Sequence, residues 1–268
     1  MIKSLISALI LGSFAVPAAA QDPIGMPVTG EILTGWQQPD GTRVAALKLT
    51  LAPGWKTYWR SPGDNGIPPV FDWSRSSNLR GVEITWPAPK VFRQGGVRTI
   101  GYANELILPI AIAPRTSGKP VTLRADLDIG VCSDICVPQQ FSLTATLDTT
   151  SSKPTPVIAA ALAARPYSAS EAGVKSATCA LRPTAAGLEI ETRVNVPSTG
   201  GQEVVVIEPG QPNMWMSETD SNRTGGQLTA IGDLASTDGG TLAIDHSAIR
   251  ITVLGKNHAV EIQGCAPG

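Results

Sequence analysis

The stretch from Val121 to Leu147 constrains the fold more than any other part of the chain. Val121, Leu123, Ala125, Leu127, Ile129 and Val131 are apolar, and Thr122, Arg124, Asp126 and Asp128 between them are polar. A period of two marks a half-buried strand. Beyond Asp134, Val137, Phe141, Leu143, Ala145 and Leu147 fall in one register, with Gln139 interrupting it. Pro138, Gln140, Ser142, Thr144 and Thr146 fall in the other. A turn at Asp134 sets Val131 against Val137, Leu127 against Phe141 and Leu123 against Ala145. The apolar faces of the two arms then coincide, and the buried face is what fixes register in a sheet.

The same register brings Cys132 opposite Cys136, on the polar face. In one extended strand, residues four apart are roughly 13 Å distant, beyond disulfide reach. Across a hairpin the Cα atoms of opposed residues are about 4.5–5.5 Å apart, within it. The sequence therefore predicts a small, outward-facing disulfide near the hairpin tip. Closing so short a loop stabilises the fold by only about 2 kcal/mol. A bond that adds little to folding and is open to a thiolate suits thiol–disulfide exchange. A structural staple fits the same residues, and both readings stay open at this level. Asp134 lies between the cysteines, and a nearby carboxylate raises a thiol pKa. Such thiols would react mainly when a partner docks. A closed zinc site would need four Cys or His ligands. The chain has two histidines, His246 and His258, both far along it, so no metal is expected at this pair.

Met1 to Ala20 reads as a signal peptide. Lys3 supplies a positive start, Leu5 to Val16 an apolar core, and Ala18-Ala19-Ala20 a small-residue cleavage site. Export implies an oxidising compartment, where four cysteines most simply pair as two disulfides, and a bacterial periplasm is the expectation. No later stretch approaches the roughly 18 consecutive apolar residues of a membrane span, so stable membrane insertion is not expected. A formal net charge of −1 gives nucleic acid or an anionic membrane surface no electrostatic support. Ser-His-Asp arrangements, phosphate-binding loops and HExxH motifs are absent from the sequence, and no cofactor is expected.

The remainder suggests two all-β domains. Residues 21–150 contain short apolar alternations separated by turn signals such as Asp40-Gly41 and the loop Ser61 to Pro69. Thr149 to Pro156 is a Ser/Thr/Pro linker, and Val157 to Ala164 a short helix, so 151–170 joins the domains. Residues 171–268 return to strand patterns, Leu188 to Val196 and Ile249 to Leu254 among them. Both domains read as antiparallel sandwiches. Cys179 and Cys265 bracket nearly all of the second. Paired, they close a loop worth roughly 4.6 kcal/mol, as a structural disulfide. Trp36, Trp55, Trp59, Trp73 and Trp86 read as core residues. Tyr58 shares a polar strand face with Lys56 and Arg60; ordinary packing is the simpler reading, and a border to the cysteine pair or a docking surface is the alternative. Met214-Trp215-Met216 has thioethers suited to Cu(I), but a packed edge strand explains it more simply.

Several of these segments occur together in a known family. Leu51-Ala52-Pro53-Gly54-Trp55-Lys56-Thr57-Tyr58-Trp59-Arg60-Ser61-Pro62-Gly63-Asp64-Asn65-Gly66-Ile67-Pro68-Pro69 is followed by Phe71-Asp72-Trp73, Trp86-Pro87-Ala88-Pro89, Gly101-Tyr102 and Cys132-Ser133-Asp134-Ile135-Cys136-Val137-Pro138. In that order they resemble the N-terminal periplasmic region of DsbD-type thiol:disulfide interchange proteins, and more closely the branch that includes ScsB. The resemblance implies immunoglobulin-like β-sandwiches and a redox role for Cys132 and Cys136, with Cys136 as attacker. It implies electrons taken from a membrane-embedded thiol reductase and passed to thioredoxin-like periplasmic proteins. Family members carry the reductase and a thioredoxin-like domain in the same chain; here neither follows Gly268, so the expectation is either a separate membrane reductase or a module that has lost catalysis. In the family an aromatic loop caps the cysteines, for which the Pro62 to Pro69 loop and Gly101-Tyr102 are candidates. The alternative is a non-catalytic adaptor of two β-sandwiches with two structural disulfides.

Overall fold

The computed structural model describes residues 27–148, 150–185, 187–240 and 243–268. The expected signal peptide and part of the expected strand Leu242 to Ile244 lie outside the described residues. Among these, ten strands precede a single helix: β1 (Val28–Gln37), β2 (Arg43–Leu51), β3 (Lys56–Tyr58), β4 (Val70–Asp72), β5 (Leu79–Ile84), β6 (Lys90–Gln94), β7 (Val97–Ala103), β8 (Glu105–Pro114), β9 (Val121–Cys132) and β10 (Cys136–Leu147). After α1 (Pro156–Ala163) come β11 (Tyr167–Ser168), β12 (Ser176–Thr184), β13 (Gly187–Asn195), β14 (Val204–Glu208) and β15 (Met214–Met216). The chain ends with β16 (Asp220–Thr224), β17 (Gln227–Ser236), β18 (Arg250–Leu254), β19 (Ala259–Gln263) and β20 (Ala266–Pro267). The fold is all-β.

In the N-terminal half, a sheet of order β1-β2-β8-β5 faces one of order β10-β9-β3-β7-β6, with β4 also on β9. Leu47, Leu49, Leu108 and Ile110 from the first sheet and Leu123, Leu127, Ile129 and Val131 from the second fill one core. The β9–β10 hairpin pairs Val131 with Val137, Leu127 with Phe141 and Leu123 with Ala145, in the register the alternation dictates. Strand β2 departs from simple alternation. Ala45 and Leu47 face the main core, yet Val44 and Ala46 are buried too, in a second cluster with Trp36 and Ile158 of α1. The segment read as a linker therefore covers the outer face of this sheet. Pro156 opens the helix, where its missing N–H costs nothing.

The β6–β7 hairpin was not legible as two strands. It turns on Gly95 and Gly96, both at positive φ. That backbone suits a tight two-residue turn and is open to glycine.

The C-terminal half packs a sheet of order β11-β19-β18-β14 on one of order β15-β17-β13-β12-β20, with β16 on β17. Val205, Ile207, Ile251, Val253, Val260 and Ile262 meet Ile190, Val194, Leu228 and Ala230 between them. Two short pairings, β11 with β19 and β12 with β20, are parallel rather than antiparallel. The halves touch: Val204, Leu254 and Ala259 join the N-terminal core. Arg60 pairs with Glu208 and Glu261, and Arg98 with Glu218, across the junction.

Candidate functional site: a capped disulfide at a hairpin tip

Cys132 ends β9 and Cys136 begins β10, opposite one another across a turn of three residues. They form a disulfide with a Cα–Cα distance of 4.1 Å. The two sulfurs have unlike surroundings. Cys136 is exposed, whereas Cys132 is only 2% exposed. The expectation of a wholly outward-facing bond is thus corrected. The reason lies in what covers the polar face of β9.

Strand β3 pairs with β9, setting Lys56 against Cys132 and Thr57 against Val131. The Thr57 hydroxyl donates to the Gly130 carbonyl at 2.9 Å. Gly130 has no side chain, and one could not fit. A Cβ there would lie 2.9 Å from Ile67 Cβ and 3.0 Å from Tyr58 Cε2. The glycine lets the Tyr58 ring and Ile67 lie directly on the strand. Gly66 does the same one layer further out, where a Cβ would lie 3.1 Å from the Tyr58 ring and 2.3 Å from Pro62 Cβ. The Pro62 to Pro69 loop thus supplies part of the cap and Tyr58 the rest. Tyr102, the other candidate, stands elsewhere. Its ring stacks on Trp86 and its hydroxyl donates to the Pro87 carbonyl at 2.8 Å.

Tyr58 is 3% exposed, and its hydroxyl lies 2.9 Å from Cys132 Sγ and 3.4 Å from Cys136 Sγ. A disulfide sulfur has no proton, so the phenol donates. Burial pushes the Tyr58 pKa above its ordinary value, so the donor stays protonated at neutral pH. Exposed apolar side chains stand on this part of the surface: Ile135 at the tip is 53% exposed beside the exposed Asp134, and Ile67 and Val70 are exposed as well. A groove of about 460 Å³ runs beside the hairpin between Ile67, Pro68 and Val70 on one wall and Asp128, Pro138 and Gln140 on the other.

Residues 29–148 match the family model for the N-terminal part of the thiol:disulfide interchange protein DsbD. Over these residues the chain is similar to DsbD N-terminal domains. The whole chain is similar in fold to the crystal structure of the N-terminal periplasmic domain of ScsB from Proteus mirabilis, with a TM-score of 0.69 at 23% identity. The similarity covers 92% of this chain and 97% of that one. No curated protein matches the chain.

The other sequence candidates fall outside the capped site. Lys56 reaches Gln94 and lies over the Phe92 ring. Arg60 turns away to the C-terminal half. Trp59 is fully buried, and Trp36 lies under α1. Met214-Trp215-Met216 forms β15, an edge strand on β17. Cys179 and Cys265 form a second disulfide with a Cα–Cα distance of 5.8 Å, tying β12 to the last strand of its sheet. His246 Nδ1 lies 3.9 Å from Cys265 Sγ, a neighbour that nothing in the sequence announced. The sulfurs at that cluster are bonded to each other, which leaves His246 alone as a metal donor. His258 packs against Tyr167 with the two rings tilted at 34°. Among the described residues, no helix is long and apolar enough to cross a membrane.

Proposed function

We propose that the protein is a periplasmic thiol:disulfide interchange component. It takes two electrons from a membrane-embedded thiol reductase through Cys132 and Cys136 and passes them to thioredoxin-like proteins. Residues 21–150 form the redox unit and 171–268 a second sandwich stapled by Cys179 and Cys265. The observation that carries this reading is the asymmetry of the first disulfide: one sulfur is open to attack and the other is buried against a hydroxyl donor. The match of residues 29–148 to the DsbD N-terminal family, the signal-peptide pattern of residues 1–20 and two disulfides support the chemistry and the compartment.

A donor thiolate attacks Cys136 Sγ, forming a mixed disulfide and expelling the Cys132 thiolate. The Tyr58 hydroxyl, already 2.9 Å away, hydrogen-bonds the departing charge. Such a bond favours the thiolate and so lowers the leaving group's pKa, which speeds exchange. The donor's second thiolate then attacks its own sulfur in the mixed disulfide, releasing Cys136 and leaving the donor oxidised. In the outgoing direction the Cys136 thiolate attacks the acceptor's disulfide. Cys132 then attacks Cys136 Sγ, re-forming the intramolecular disulfide and releasing the acceptor as a dithiol.

Mixing the reduced protein with an oxidised thioredoxin-fold protein should transfer one disulfide per molecule. Tyr58→Phe should slow the reverse step, attack of a thiol on the Cys132–Cys136 bond. A hydrogen bond to a charged group is worth about 1.5–3 kcal/mol, which corresponds to roughly 10- to 150-fold. Stopped-flow tryptophan fluorescence would follow both reactions. Absence of any transfer, with the thiols verified as free, would favour the adaptor reading instead.

A further inference from the structure

We propose that Glu208 and Glu261 of the C-terminal half are positioning residues for the disulfide site, holding Tyr58 on Cys132 through Arg60. The proposal rests on the role given to Tyr58 above. Arg60 stands two residues beyond Tyr58, at the start of the segment that caps β9. Its Nε and Nη2 donate to the two carboxylate oxygens of Glu208, both at 2.9 Å, and Nη2 also donates to Glu261 Oε2 at 2.6 Å. The Arg60 side chain is 16% exposed, and its guanidinium lies 4.5 Å from the centre of the Trp59 ring. Burial pulls its pKa down, but the two carboxylates outweigh that and raise it, so the charge is permanent.

A planar guanidinium held bidentately by one carboxylate and singly by another has little freedom. Glu208 and Glu261 sit on β14 and β19, two strands of one sheet, so the anchor is rigid. The same segment is held further along. Glu218 pairs with Arg98 at 2.9 Å, and its backbone N–H donates to Asp64 Oδ2 at 3.4 Å. The Ile100 N–H donates to the Pro62 carbonyl at 2.9 Å. From Pro62 the contacts run through Gly66 to the Tyr58 ring. On the far side of this segment, a groove of about 760 Å³ opens between the halves, bordered by Arg60, Pro62, Pro68, Arg98, Trp215 and Glu218. Packed protein does not back the segment there. The ion pairs span that gap, and they fix where Tyr58 points.

The test is a double-mutant cycle on the full mature protein, oxidised at both disulfides. The reduction rate of each bond by dithiothreitol is read by quenching, alkylation and mass spectrometry. Glu208→Gln with Glu261→Gln should slow reduction of Cys132–Cys136 about 2- to 30-fold, the range of coupling through a packed network. Reduction of Cys179–Cys265 should not change. In a Tyr58→Phe background the same pair of substitutions should slow the reaction no further, since the group being positioned is gone. A merely structural role would not produce that non-additivity. If the double variant does not fold, Glu261→Gln alone carries the cycle. Three results would overturn the proposal: no slowing, an equal change at both disulfides, or additive slowing with Tyr58→Phe. Dithiothreitol is a small reagent, so the cycle reads correctly even if no thioredoxin-fold protein exchanges with this chain. Failure of the exchange assay and failure of the cycle are therefore separate results.

Discussion

Cys132→Ser should convert the reduced protein into a trap. Cys136 keeps its exposed thiol and attacks the disulfide of an oxidised thioredoxin-fold protein. With no second thiol to resolve it, the mixed disulfide accumulates and two-electron transfer falls to nothing. Cys136→Ser should behave differently, because the remaining thiol belongs to Cys132, which is 2% exposed beneath Tyr58. Little adduct should form. Both variants should stay folded, since closing this loop contributes only about 2 kcal/mol in the chain-entropy model. The β9–β10 register is fixed along its whole length by the apolar face and does not depend on the bond. Non-reducing electrophoresis followed by mass spectrometry distinguishes the cases. Equal trapping by both variants would contradict the assignment of the exposed sulfur as the attacked and attacking atom.

Removing the other disulfide should affect stability and leave exchange alone. Cys179→Ala with Cys265→Ala opens a loop with a sequence separation of 86 residues. The chain-entropy model assigns that closure about 4.6 kcal/mol. Most single domains are stable by only about 5–15 kcal/mol, so the C-terminal half should be near its unfolding threshold. Cys179 is fully buried against Ile190, Val194 and their neighbours, so its removal also opens a small cavity. Urea unfolding at 25 °C should show the low-denaturant transition moving by most of that amount. The reduction rate of Cys132–Cys136 in the absence of urea should be unchanged in samples whose circular dichroism shows the C-terminal half, with its Glu208 and Glu261 anchor, still folded. A loss below about 1 kcal/mol would mean that the pair is not a staple.

The hairpin that carries the site was legible in full. Its alternation admits one register, and the opposition of Cys132 and Cys136 follows from that register. The burial of Cys132 was not legible, because periodicity says which side chains share a face and not what later lies over it. One signal was present: Gly130 interrupts the β9 alternation, and a glycine inside a strand marks the close approach of another group. That group is Tyr58 with Ile67. The two-sided burial of β2 was hidden for a similar reason, since its second face is covered by α1 from beyond the hairpin. The Arg60 network lay furthest from reach. Its partners are 148 and 201 residues away in sequence, and surface-type residues carry no pattern that links them at that distance.

The central claim is that Cys132 and Cys136 exchange electrons rather than staple a hairpin, and the reduction potential of that bond tests it most directly. The mature protein is equilibrated with graded glutathione or dithiothreitol buffers, and free thiols are trapped by alkylation and assigned by mass spectrometry. A midpoint between about −120 and −270 mV, the range of exchange proteins, is expected. A bond that stays oxidised well below about −300 mV would mark a structural disulfide and contradict it.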